Sequence, residues 1–98
     1  MVLSAEDRGM LEKIIDAVIA TIKEQKKMFE NPIVKQEFHV EKIEDFLFGM
    51  FYQEITSTFS TFYTTFKHRR PNESELQEIV QVVLKRLPEI RNAIYFTE

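Results

Sequence analysis

The chain has no cysteine and no tryptophan, and its 98 residues include only two glycines and three prolines. Without thiols it can hold no disulfide, no Cys-ligated zinc and no thiol nucleophile. The same absence fits a reducing compartment, so the expected location is cytoplasmic. The opening MVLSAEDRGM has no basic stretch followed by an apolar run, so no secretory signal is expected. Gly9 and Gly49 stand far apart and form no phosphate-cradling loop. So little Gly and Pro is too little punctuation for a sheet-rich or loop-rich fold. An excess of positive charge is also missing. Thirteen Lys and Arg against sixteen Asp and Glu leave −3, which provides no general attraction to nucleic acid or an anionic membrane. Nor is there an uninterrupted apolar run. The densest stretch, FLFGMFYQEITSTFSTFYTTF at 46–66, holds eight of the twelve aromatic residues. Gln53 and Glu54 sit near its middle and seven Ser or Thr follow, so no membrane span is expected.

What is present is the composition of one small globular domain, 44% hydrophobic and 30% charged. The pattern is helical throughout. The first helix is expected over about 4–30. Ser4-Ala5-Glu6-Asp7 resembles a capping box, and Leu11, Ile15, Val18, Ile22 and Phe29 form a seam with Gln25 at its one polar position. Asn31-Pro32 ends it. The same dipeptide suits a new helix start, so the second helix begins either at Pro32 or, after a connector, near Val40, and runs to about residue 68. Its seam reads Phe48, Tyr52, Ile55, Phe59, Phe62 and Phe66. The third helix spans about 73–95 with the seam Leu76, Val80, Val83, Leu87, Ile90 and Ile94. Asn72 with Glu75, or Ser74 with Gln77, caps its start, and Pro88 imposes a break near 87–88. The expected fold is all-α: an antiparallel three-helix bundle with a Pro-kinked third helix, completed by dimerisation.

Dimerisation is invoked because the seams leave apolar residues over. Ile43, Phe46, Leu47 and Met50 lie roughly opposite the second seam, and Val82 and Phe96 lie off the third. Leaving several such side chains in water would invite aggregation. A homodimer or another helical protein would cover them, making these six the expected interface. The intramolecular alternative is that segment 33–40 folds over that face. The Thr- and Ser-rich back of the second helix, from Thr56 to Thr65, is either a half-buried face allowing close helix approach or a recognition face for an uncharged partner.

The expected function is therefore that of a small non-catalytic interaction or assembly protein, with no cofactor. Two rivals come from other classes. Lys67, Arg69 and Arg70, joined by Lys85 and Arg86, form a candidate nucleic-acid patch, although cations at a helix C-terminus also serve its dipole. Glu41 with Glu44 and Glu75 with Glu78 are two ExxE pairs, each on one helix face. Facing each other they would hold a divalent cation, a logic similar to that of MazG-type nucleotide pyrophosphohydrolases. The aspartate-bearing second motif of that family is not visible. His39 and His68 are the only histidines, and neither has a partner at metal-ligand spacing.

Overall fold

The computed structural model describes residues 2–96. Among them are five helices and no strand: α1 Ala5–Phe29, α2 Pro32–Phe38, α3 Ile43–Lys67, α4 Glu73–Lys85 and α5 Leu87–Tyr95. The molecule is elongated, 43 × 23 × 18 Å. The two long helices, α1 and α3, pack together, with α4 and α5 laid on α1. Lys67 at the end of α3 pairs with Asp7 at the start of α1, while Phe46 near the start of α3 meets Phe29 at the end of α1. The two helices therefore run antiparallel.

The helix ends follow from local chemistry. Ser4 accepts a hydrogen bond from the Asp7 backbone N–H at 3.0 Å, opening α1. Asn31 caps α2 in the same manner through the Ile33 N–H at 2.9 Å, and Pro32 fills the first turn, where no N–H is needed. Both readings of the second helix are thus partly realised: Pro32 starts a short helix, a connector follows, and α3 begins at Ile43. Asn72 and Glu75 form the capping box of α4, each side chain accepting from the other's backbone N–H. The chain breaks at Arg86, and Pro88 sits in the first turn of α5.

Both histidines have a role that the sequence did not suggest. His39 (φ 54°) and His68 (φ 58°) are the left-handed residues that end α2 and α3, a place usually taken by Gly or Asn. A side chain in this region costs about 1 kcal/mol relative to glycine. His68→Gly is expected to stabilise the protein by roughly 0.5 kcal/mol, after allowance for glycine's extra freedom in the unfolded chain. Urea titration would register this as a higher midpoint with an unchanged slope, and a lower midpoint would contradict it.

The core corrects two of the expected seams. On α3 the buried residues are Ile43, Leu47, Phe51, Ile55, Phe59 and Tyr63, all at four-residue spacing. Four residues turn a helix by about 400°, so this row drifts about 40° per step around the axis. The contact face rotates along α3 as its neighbours change. At one end Phe46 meets Phe29 and Phe38, and Phe48 lies under Arg91 of α5; at the other, Tyr63 meets Glu75 of α4. Ile43 and Leu47 therefore belong to the chain's own core, 5% and 0% exposed, and are not on a spare face. Phe46 and Met50 are half-buried against that core. Segment 33–40 supplies part of the cover, since the Phe38 ring of α2 stands 5.8 Å from that of Phe46. On α4 the inward row is Glu75, Ile79 and Val83, leaving Leu76 and Val80 of the expected seam exposed.

Candidate interaction surface

The outward rotation of α4 leaves an aliphatic stripe on its open face, while Phe66, expected in the α3 seam, is 66% exposed near the end of that helix. Leu76, Val80 and Leu84, one turn apart, are 46%, 36% and 55% exposed. They are set there by the residue before each. Glu75, Ile79 and Val83 face inward, and neighbouring positions lie about 100° apart on a helix. Glu75 fixes that setting. Its carboxylate accepts from Arg69 Nη1 at 2.8 Å, from the Asn72 N–H at 2.8 Å and from the Tyr63 hydroxyl. The Arg69 guanidinium also donates to the Tyr63 oxygen at 2.8 Å and lies 5.2 Å from the centre of its ring. These contacts, with Arg69 first, hold the Glu75 carboxyl at a pKa of about 2. Burial, then the bond to Glu75, pushes the Tyr63 hydroxyl upward.

Beside this stripe runs the small, uncharged back of α3. A groove of about 520 Å³ is lined by Ser60, Thr61, Thr64, Thr65, Arg70, Pro71 and Leu76. A second, of about 420 Å³, is lined by Glu73, Leu76, Gln77, Val80 and Gln81. Leu76 borders both, so the Thr/Ser face and the aliphatic stripe form one continuous surface. Elsewhere Met28, Ile33 and Phe38 are exposed at the α1–α2 corner, and Phe96, 78% exposed, ends the described chain. Val82 is half-buried against the core.

The basic cluster is largely neutralised within the chain. Lys67 pairs with Asp7 at 3.7 Å, and Arg69 with Glu75. Arg86 donates to Glu12, Asp16 and Glu89, which clamps the α4–α5 break onto α1 and raises its pKa. Arg70 and Lys85 are exposed, with no ion pair to carboxylates of the described residues. The sequence contained no signal for the Arg86 clamp, because Glu12 and Asp16 lie 74 and 70 positions away along the chain.

The two ExxE pairs are not brought together. Glu44 lies in the first turn of α3, whereas Glu75 meets Tyr63, nineteen residues and about 28 Å further along that helix. Glu78 turns instead to the N-terminal segment, accepting from the Val2 and Leu3 N–H groups at 2.9 and 2.8 Å. Its other oxygen faces Arg8 Nε at 3.9 Å, beside a cavity of about 480 Å³. Among the described residues no three acidic, His or Cys side chains are grouped as a metal site would require. Nor, among them, is any helix long and apolar enough to cross a membrane. Comparison with protein-family models, with curated proteins and with solved structures finds no match.

Proposed function

We propose that this protein is a non-catalytic helical interaction module whose working surface is the exposed face of α4 with the adjoining Thr/Ser face of α3. The observation that carries the reading is the solvent-facing row Leu76, Val80 and Leu84. Three aliphatic side chains in register on a helix that already has a separate buried row are not needed for the fold. An apolar stripe bordered by uncharged polar residues is the usual make-up of a protein-binding patch, with few charges to desolvate at its centre. The internal pairing of Lys67, Arg69 and Arg86 favours this over a phosphate-binding surface, because a phosphate would have to displace carboxylates already in place.

The test uses the purified protein alone. Wild-type protein is expected either to self-associate with rising concentration or, as a monomer, to bind the hydrophobic dye ANS at this face. The double substitution L76E/V80E should abolish both while changing the unfolding midpoint little, since exposed positions usually move stability by no more than about 0.5 kcal/mol. A wild type that neither associates nor binds the dye would overturn the reading.

A further inference from the structure

Another flank of α4, beside the start of α1, carries a different chemistry. Ser74, Glu78, Gln81 and Lys85 step by four, three and four, so they stay within about 60° of one another around the axis. With Arg8 of α1 and Val2 of the N-terminal segment they line the cavity of about 480 Å³. That volume is in the range of small-molecule sites. Glu78 organises its wall. One carboxylate oxygen, Oε2, is occupied by the Val2 and Leu3 N–H groups, and buried Leu3 anchors that segment. The other, Oε1, faces Arg8 Nε at 3.9 Å, too far for a hydrogen bond. Both atoms are buried without a hydrogen-bond partner among the described residues. Buried atoms of this kind are few in folded proteins, and a molecule bound alongside is one way they come to be satisfied.

We infer that this cavity binds a small organic monocarboxylate with an uncharged polar body. The charged side chains lining it are Arg8, Lys85 and Glu78, which leave an excess of one positive charge. A single carboxylate balances that excess. A phosphate dianion would overshoot it and meet the Glu78 carboxylate as a like charge. Arg8 supplies the recognition. Its Nε is turned to Glu78, and its two terminal nitrogens have no hydrogen-bond partner among the described residues. They offer a two-pronged, charge-assisted donor to a carboxylate. Lys85, without an ion pair among the described residues, lies seven residues, or about 10 Å, along the axis from Glu78. Side chains on a helix lean toward its N-terminus, here the direction of Arg8, so Lys85 adds its charge to the same site. Gln77, Gln81 and Ser74 provide amide and hydroxyl groups for the polar body, and Val82 an apolar contact. None of Leu76, Val80 and Leu84 lines this cavity, so the site goes beyond the interaction face and does not depend on it.

The probe is N-acetylvaline, which joins one carboxylate to an amide and a small apolar side chain. Titrated into the isotope-labelled full-length chain, it should shift the NMR amide signals of Val2, Arg8, Gln77, Gln81 and Lys85. The shifts should saturate with a Kd on the order of 1 mM, as expected for so small a ligand. N-acetylvalinamide has nearly the same shape without the charge and should bind about tenfold more weakly. R8Q should weaken N-acetylvaline binding about tenfold, because it removes the two-pronged contact. K85Q should weaken it about threefold, as an exposed charge. Lys85 is exposed, so K85Q tests the site even if R8Q fails to fold. L76E/V80E should leave the affinity unchanged, whatever it does to the interaction face. No saturable shift by about 20 mM, roughly twenty times the expected Kd, would overturn the site. Equal binding of the amide, or wild-type affinity in K85Q, would do the same. Inorganic phosphate binding as tightly as N-acetylvaline would overturn the choice of a monocarboxylate.

Discussion

Leu47→Glu is expected to unfold the protein near neutral pH. Leu47 is fully buried, the second of the six residues in the α3 row. Replacing it forfeits about 2 kcal/mol of apolar burial. A carboxylate at that place has no partner and can stay inside only by taking up a proton. Holding a group of ordinary pKa about 4.3 neutral at pH 7 costs about 3.7 kcal/mol, at 1.36 kcal/mol per unit. The sum, on the order of 5–6 kcal/mol, matches the total stability of many domains of this size. The far-UV helix signal should largely disappear at pH 7 and partly return near pH 4.5, where the protonation cost falls. Leu84→Glu, on the open face of α4, supplies the contrast and should keep full helix content. A folded Leu47→Glu protein with an unchanged midpoint would mean that the amino-terminal half of α3 does not face the core.

The contrast between Leu47 and Leu84 also shows where periodicity stops being informative. Leu11, Ile15, Val18 and Ile22 of α1 belong both to the seam expected from spacing and to the buried residues, and only in the last turns does the match loosen, with Lys26 buried and Gln25 and Phe29 half-buried. On α3 the amino-terminal half carries apolar residues on opposite faces, and two rows of large side chains competed for the core. Which row wins depends on α1, α2 and α5 together, and Phe29, Phe38 and Phe46 meet only once the chain has turned back at Asn31. Local chemistry was legible where it is complete within a few residues, as in the caps at Ser4 and Asn72 and the break before Pro88. It was not legible where one partner lies on another helix. The expected seam gave Leu76 and Val80 inward positions because they are apolar. The structure gives the inward place to Glu75, a carboxylate, because Tyr63 and Arg69 are there to satisfy it. An apolar residue displaced outward by a polar lock is the reason the apolar part of the candidate surface lies on α4, with the Thr/Ser face of α3 beside it.

Glu75→Ala is expected to be the most damaging substitution of a charged residue in the chain. It removes a capping box, worth about 1 kcal/mol, and strips the buried Tyr63 hydroxyl of its acceptor, worth about 1–3 kcal/mol. The combined loss, about 3 kcal/mol, should lower the urea midpoint strongly. Glu75→Gln keeps the shape and some hydrogen bonds, so about half that loss is expected. The pH dependence distinguishes an electrostatic lock from simple packing. The folded pKa of Glu75 lies at about 2, below the ordinary 4.5, so its stabilisation is complete above about pH 4.5 and is lost as pH falls toward 2. Arg69 is half exposed, so solvent screens the pair and the acid loss is smaller than a fully buried pair would give. Tyr63 acts at the opposite end of the scale. Its pKa is raised above 10, so ionisation favours the unfolded chain and stability falls as pH rises beyond 10. Wild type and Glu75→Gln should therefore differ most between about pH 5 and 9 and converge toward pH 2. In Tyr63→Phe the alkaline loss assigned to Tyr63 should vanish. If the Gln variant retained the same acid limb as wild type, the carboxylate of Glu75 would not be what sets the rotation of α4. Relaxing that rotation should also change exposure of the Leu76–Val80–Leu84 row, so ANS binding followed across the same titration connects the lock to the surface it presents.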